Sequence, residues 1–190
     1  PLKVEKVPGG ENPIDWFVNR KLKEAGLAPA PAALPRELYR RLSFGLTGLP
    51  PDPTQAAKFE REFSKSKAAL SVHAKKLMAS PHYGEHFARH WLDVARYADS
   101  AGYEADIPRR IWHYRDWVIQ SFNQDKPLDQ FVIEQLGGDL LEGATDAMRV
   151  ATGFHCNAIK DGGVRYESIF DRVNTTGAVF MGLTFECGQC

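Results

Sequence analysis

The chain has 190 residues with 24 basic and 24 acidic side chains, and its isoelectric point is near 7.4, so no global field draws it to nucleic acid or to an anionic membrane. Apolar residues make up 43 % and charged residues 25 %, the balance of a globular domain that buries a core without disulfide staples. No run approaches the ~18 apolar residues of a membrane span, and PLKVEKVPGG at the start lacks the basic and apolar regions of a secretory signal. The missing initiator Met makes the chain read as a piece of something longer, so the absent signal says nothing of location.

Helix signals then succeed one another. Residues 1–11 read as an extension, and a single helical domain is expected over 12–190. Asn12 is placed as N-cap with Pro13 at the first helical position, and Ile14, Phe17, Val18 and Leu22 share a face up to a stop at Gly26. APAPAALP is a connector. A second helix begins near Pro35 and carries Leu38, Tyr39, Leu42 and Leu46 to the breaker GLPPDP. Thr54 is expected to cap a third helix with Phe59 and Phe63, and residues 67–79 form a fourth. Ser80-Pro81 opens a fifth, running to about Ala98. After the loop DSAGYEADIP, a sixth helix covers about Arg109 to Phe122. Pro127 opens a seventh that ends at Gly137-Gly138, with Asp125 as its cap. Thr145 caps a short eighth. The last helix runs from about Tyr166 to Met181, with Ile169, Val173 and Phe180 inward. VATGFHCNAI is the one stretch that could form a short strand. Trp16, Trp91, Trp112, Trp117, Phe87, Phe131 and Phe180 are at helical spacing and read as core. The fold class is all-α, an irregular bundle of about eight to nine helices.

Three cysteines are present. Cys156 reads as a small buried or half-buried thiol. Cys187 and Cys190 form C-x-x-C, which is half of a zinc site, a redox dithiol, the start of a haem attachment C-x-x-C-H, or two incidental thiols. Zinc needs further N or S ligands in tetrahedral reach, and no second knuckle exists. A thioredoxin-like dithiol needs a strand before it. Haem needs only two thiols and an adjacent His, which here would be residue 191.

Residues 80–140 hold the densest polar chemistry. His82, His86 and His90 recur every four residues and share a helix face, continued by Asp93 and Tyr97. Histidines at i and i+4 can chelate a divalent metal; otherwise they form a polar stripe bonded to carbonyls and carboxylates. Downstream, Asp93, Arg96, Asp99, Tyr103, Glu104, Asp106, Arg109 and Arg115 interleave acid, base and aromatic groups. Arg96, Arg109 and Arg115 could clamp the loop by pairing Asp99, Glu104 and Asp116, since an unpaired buried charge is costly. The same set could line a sugar-binding cleft, with Arg on sulfate or carboxylate groups. In that reading Asp99 and Glu104 would be the two carboxylates of a glycoside hydrolase. Asp99, Glu104 and Asp106 could also hold Ca²⁺. Gly177 is expected to allow another helix to approach, and Thr175 and Thr176 to bond back to carbonyls.

Several strings together, among them RRLSFGLTGLPPDP, MASPHYGEHFARHWLDVARYADSAGYEAD and DRVNTTGAVFMGLTFECGQC, resemble the planctomycete cytochrome C-like domain, the domain of unknown function 1549 family. The likeness runs from about Asn12 to Cys190. It implies a final string that continues C-x-x-C-H, so that this piece stops just before the haem-ligand histidine. Cys187 and Cys190 would then carry haem c in the full-length protein, with His155 or Met181 as distal ligand and electron transfer as the function. It also implies a periplasmic or otherwise exported setting, neighbouring domains of the parent chain as partners, and a link to polysaccharide degradation. Family members often carry a basic residue where His86 stands, which weighs against a three-His metal site. The alternatives are a polysaccharide-binding or polysaccharide-processing module on the 93–116 surface and a scaffold docking the next domain. The scaffold would show as an apolar patch near Met181–Phe185.

Overall fold

The computed structural model describes residues 12–101, 106–158 and 165–185. Among them nine α-helices are joined by short 3₁₀ and π-helical turns, without a sheet. The one β-type pairing among the described residues is an isolated antiparallel bridge between Ser100 and Pro108. The chain divides into two compact units, Pro1–Leu34 and Pro35–Cys190.

The first unit contains α1, Pro13–Glu24. The Asn12 side chain accepts from the Ile14 amide at 2.9 Å, and Pro13 occupies the first turn, where a missing N–H costs nothing. Gly26 ends the helix with φ +69°, and the Leu27 amide reaches back to the Leu22 carbonyl at 2.8 Å, the bonding of a left-handed helix stop. The Arg20 guanidinium covers the Trp16 ring at 4.9 Å.

The second unit begins with α2 Pro35–Thr47, α3 Pro53–Lys65 and α4 Ala69–Met78. α3 is capped by Asp52, which accepts from the Gln55 amide at 2.9 Å, and not by Thr54. Pro53 has the fixed φ of a first helical residue, so the helix begins earlier than expected. Tyr39 stacks on Phe59 with centroids 4.9 Å apart, and His73 meets both rings edge-on. His73 is 1 % exposed, and its Nε2 lies 2.8 Å from Glu62 Oε2, which gives the buried ring nitrogen a partner.

α5, Pro81–Val94, lies alongside α6, Trp112–Asn123. Gly84 permits the approach, since a Cβ there would sit 2.5 Å from the Ile119 carbonyl oxygen. The Gly84 amide, one of the unpaired donors at a helix start, donates to Asn123 Oδ1 at 2.8 Å. α7 Leu128–Gly137 and α8 Asp146–Ala151 close the bundle. Ala88, Tyr114, Trp117, Val118, Phe131 and Phe154 form its core. Inside it, Gln135 Oε1 accepts from Tyr114 Oη at 2.7 Å and from Trp91 Nε1 at 2.9 Å. Gln135 Nε2 donates to the Phe131 carbonyl. Burial pushes the Tyr114 phenol well above its ordinary pKa. The ammonium of Lys126 pairs with the buried carboxylate of Glu134 and lies 5.1 Å from the Trp117 ring centre.

Several boundaries and faces differ from expectation. α5 stops at Val94, about four residues early. Arg96 adopts φ +59°, with the Tyr97 amide bonded to the Leu92 carbonyl at 2.9 Å and the Arg96 amide to the Asp93 carbonyl at 3.1 Å. This is a Schellman stop with arginine in the usual glycine position. α6 starts at Trp112 rather than Arg109; the residues before it pair in extended form with the 99–101 segment, through the Ser100–Pro108 bridge and the Arg109 amide bonded to the Asp99 carbonyl at 2.7 Å. Asp125 does not cap α7, whose N-cap, Pro127, receives no side-chain bond. VATGFHCNAI forms no strand: Thr152–Asn157 is a 3₁₀ segment directly after α8, and Cys156 is exposed. Trp112, expected in the core, is 44 % exposed and stacks on His113.

The last helix, α9, spans Arg165–Thr176 and passes into a π-helical turn, Gly177–Met181. Phe180 packs on the core as expected. Ile169 and Val173 do not; both are exposed.

Candidate functional site

The π-helical turn and the chain after it build an apolar groove. Gly182 takes a left-handed φ of +64°, and the Leu183 amide bonds back to the Gly177 carbonyl at 3.1 Å. This folds Phe185 over Gly177, where a Cβ would lie 2.1 Å from the ring. Gly177 therefore serves a close approach, but of an aromatic ring and not of a helix. The groove beside it has a volume of about 600 Å³ and is lined by Ile169, Val173, Met181 and Phe185, with Arg172, His155 and Thr176 as its polar members. His155 arrives from the 3₁₀ segment after α8. Its Nε2 is 3.3 Å from the Leu136 carbonyl, so Nε2 carries the proton and Nδ1 the free lone pair. Met181 is 63 % exposed. Cys187 and Cys190, which come after Phe185 in the chain, lie outside the described residues.

A smaller polar cavity of about 350 Å³ flanks α9 and is lined by Arg96, Asp171, Asn174, Thr175 and Thr184 among others. Arg96 Nη1 donates to Asp171 Oδ1 at 2.5 Å and to Thr175 Oγ1 at 3.3 Å. The guanidinium that ends α5 thus holds α9 in place. Thr176 bonds back to the Arg172 carbonyl, as expected; Thr175 instead faces Arg96.

On the 93–116 surface the charges are largely engaged locally. Tyr97 Oη donates to Asp99 Oδ1 at 2.6 Å, and the tyrosine pKa is pushed up to about 12, first by burial and then by this bond and the Asp99 charge. Arg115 pairs with its neighbour Asp116 at 3.1 Å. Arg109 Nη1 donates to the Cys156 carbonyl at 2.9 Å, so it ties the 99–109 loop to the 3₁₀ segment rather than to a carboxylate. Asp93 is exposed, and Asp106 has a left-handed φ of +41°. Tyr103 and Glu104, and with Glu104 the Asp99–Glu104 pair and the Ca²⁺ set, lie outside the described residues. Tyr114 is buried.

The histidine stripe keeps its spacing, but its members face different surroundings. His82 Nδ1 lies 2.8 Å from Glu85 Oε2. His86 tucks under Gly48, where a Cβ would meet Nδ1 at 2.6 Å, and burial, then the Arg89 and His90 charges, lower its pKa. His90 is exposed, its ring centre 5.6 Å from that of His86. Among the described residues no group of three or more His, Cys, Asp or Glu side chains could hold a metal ion. No described helix is long and apolar enough to cross a membrane.

Sequence reasoning missed the partners of buried His73 (Glu62) and of buried Glu134 (Lys126) and the acceptor role of Gln135. Each joins positions on neighbouring turns or helices with no short motif to mark them. No curated protein and no solved structure matches the chain. A family model, PSCyt2, described as a protein of unknown function (DUF1549), matches residues 13–190. With nearly its whole length inside that match, the chain belongs to the PSCyt2 family of proteins of unknown function.

Proposed function

We propose that this domain is an exported electron-transfer module that carries haem c on Cys187 and Cys190, with an imidazole directly after Cys190 in the parent polypeptide as proximal ligand. The observation that carries the reading is the groove. His155 and Met181, far apart in the sequence, line one apolar groove beside the segment that leads to Cys187. The residues suit a porphyrin edge: Ile169, Val173 and Phe185 offer apolar walls, Arg172 a cation for a propionate, and Met181 a thioether. Met181 is the better distal candidate, because its exposed thioether carries no proton, whereas His155 is tethered through Nε2 to the Leu136 carbonyl and could ligate only through Nδ1. Haem supplies one-electron chemistry, and thioether ligation sets a high potential. The remaining groove residues exclude water and orient the group. The neighbouring domains of the parent chain would be the electron partners.

The test is the full-length parent protein made in a host with cytochrome c maturation. It should show a Soret band and stain for covalent haem after denaturation. Met181→Leu should lower the reduction potential while leaving the covalent stain intact. A colourless protein, or Cys187 and Cys190 bridged to each other, overturns the reading.

A second reading is supported by exposure alone. Met181, Leu183 and Phe185 are exposed together, the patch expected of a scaffold that docks the next domain. A colourless parent in which these positions gain hydrogen-exchange protection from the next domain would favour it. Polysaccharide binding on the 93–116 surface draws less support, since Tyr114 is buried and Asp99 and Asp116 have local partners; Trp112 is its remaining exposed ring among the described residues.

A further inference from the structure

We propose that the aromatic cavity between α5, α6 and the start of α7 binds a small organic ammonium ion, held by the Asp125 carboxylate and the surrounding rings. The site is independent of the C-terminal groove. It has a volume of about 240 Å³ and is walled by Tyr83, Trp91, Phe122 and Phe131, with Ser121, Asp125 and Lys126 as its polar members. The rings brace one another: Trp91 meets Phe131 at 4.8 Å and 72°, and Phe122 meets Phe131 at 5.8 Å and 58°. Such a wall presents ring quadrupoles to whatever enters.

The polar members decide the charge of the ligand. Ser121 donates its hydroxyl to the Trp117 carbonyl at 2.8 Å. The Lys126 ammonium is neutralised by Glu134, whose side chain is 8 % exposed. It cannot swing toward Asp125 without leaving a buried carboxylate unpaired, which is strongly unfavourable. Asp125 is different. It sits at the stop of α6 with φ +50°, where the Lys126 amide bonds to the Ser121 carbonyl and the Asp125 amide to the Phe122 carbonyl. Glycine is the usual occupant of that position. The carboxylate does not cap α7, and no hydrogen bond or ion pair engages it among the described residues. The rim of the cavity, where Asp125 is exposed, therefore carries one uncompensated negative charge beside aromatic rings.

That combination selects among ligand classes. An anion is repelled by Asp125. A neutral sugar would find the Asp125 carboxylate and the Tyr83 phenol, with Ser121 and Lys126 already committed, for its several hydroxyl groups, and its remainder would be desolvated without partners. An ammonium ion with methyl or short alkyl substituents satisfies both features: the charge pairs with Asp125 and with the rings, and the alkyl surface is buried.

The test uses the folded chain, calorimetric titration, and the indole N–H resonance of Trp91. Choline is titrated beside its neutral isostere 3,3-dimethylbutan-1-ol and beside methyl glucoside. Choline should bind with a dissociation constant of about 1 mM and shift the Trp91 signal, with the isostere about tenfold weaker. Asp125→Gly relieves the left-handed backbone, so the variant should melt no lower than the parent chain while choline binding weakens about tenfold. Absence of choline binding, an isostere that binds as well, an unaffected Asp125→Gly variant, or methyl glucoside as the preferred ligand each overturns the proposal.

Discussion

Arg96 combines two opposing contributions that can be separated by substitution. Its backbone is left-handed at φ +59°, which disfavours a residue with a Cβ by about 1–2 kcal/mol. Its side chain returns some of that through Asp171 and Thr175. A charge-assisted hydrogen bond is worth about 1.5–3 kcal/mol. Here Asp171 is 13 % exposed and Arg96 48 %, so solvent screening reduces the value to about 1–1.5 kcal/mol. Arg96→Ala removes the clamp and keeps the strain, so it should cost about 1–1.5 kcal/mol. Arg96→Gly removes the clamp and the strain together. The glycine gives back about 0.5–1 kcal/mol of the relief as added freedom of the unfolded chain, which leaves a net gain of about 0.5–1 kcal/mol over alanine. Urea unfolding monitored by far-ultraviolet circular dichroism reads this directly: with a slope of about 3 kcal/mol/M, Arg96→Ala should shift the midpoint by about 0.3–0.5 M and Arg96→Gly by clearly less. A double-mutant cycle with Asp171→Ala should return a coupling of about 1 kcal/mol. A glycine variant less stable than the alanine variant, or a coupling near zero, refutes the account of strain held by a clamp.

Alkaline stability should report Tyr97. Its folded pKa is raised to about 12 against an ordinary value of about 10, so below about pH 10 the phenol is protonated in both states and the stabilisation is fully present. As pH rises through about 10 toward about 12 the unfolded chain loses its proton first and the fold weakens. Tyr97→Phe should flatten this alkaline limb in pH-dependent denaturation, leaving the part due to Tyr114; an unchanged limb would show that Tyr97 titrates normally. Gln135→Leu should destabilise by about 1–3 kcal/mol, because it leaves the buried Tyr114 hydroxyl without its acceptor, while Trp91 Nε1 keeps its 3.1 Å bond to Tyr114 Oη. Thermal melting measures it, and a loss below about 1 kcal/mol would mean that the Tyr114 hydroxyl finds another acceptor.

The helices are legible in the sequence where proline and a capping side chain act over one turn. Asn12-Pro13, Ser80-Pro81 and Thr145 each start a helix as expected, because the physics involved is local. The early end of α5 is hidden because Arg96 adopts the left-handed stop that normally advertises itself as glycine; Asp125 adopts it too, after an α6 that ends at Asn123, close to the expected Phe122. The outward face of α9 escapes the sequence for a related reason. Periodicity puts Ile169 and Val173 on a stripe with the core residue Phe180, but the π-helical turn at Gly177–Met181 adds a residue to the turn and rotates the chain beyond it. The apolar stripe of α9 is thereby turned away from the core that Phe180 reaches.

The same rotation explains why the groove is hidden in the sequence while its individual members are not. His155 and Met181 each carry a ligand atom that residue type alone reveals, yet nothing local relates a 3₁₀ residue after α8 to a π-turn residue after α9. Their convergence depends on Arg96 holding α9, on Gly177 admitting Phe185, and on Gly182 turning the chain back. The charge-rich 93–116 stretch is the converse case. Its charge density is visible in one dimension, and in three dimensions much of that charge is committed to neighbours: Tyr97 to Asp99, Arg115 to Asp116, Arg109 to backbone carbonyls. Asp125 has the sequence signature of an ordinary helix cap, a role it does not take. A carboxylate in a left-handed turn, with no cap to make and aromatic rings beside it, has the uncommitted charge that the crowded segment lacks.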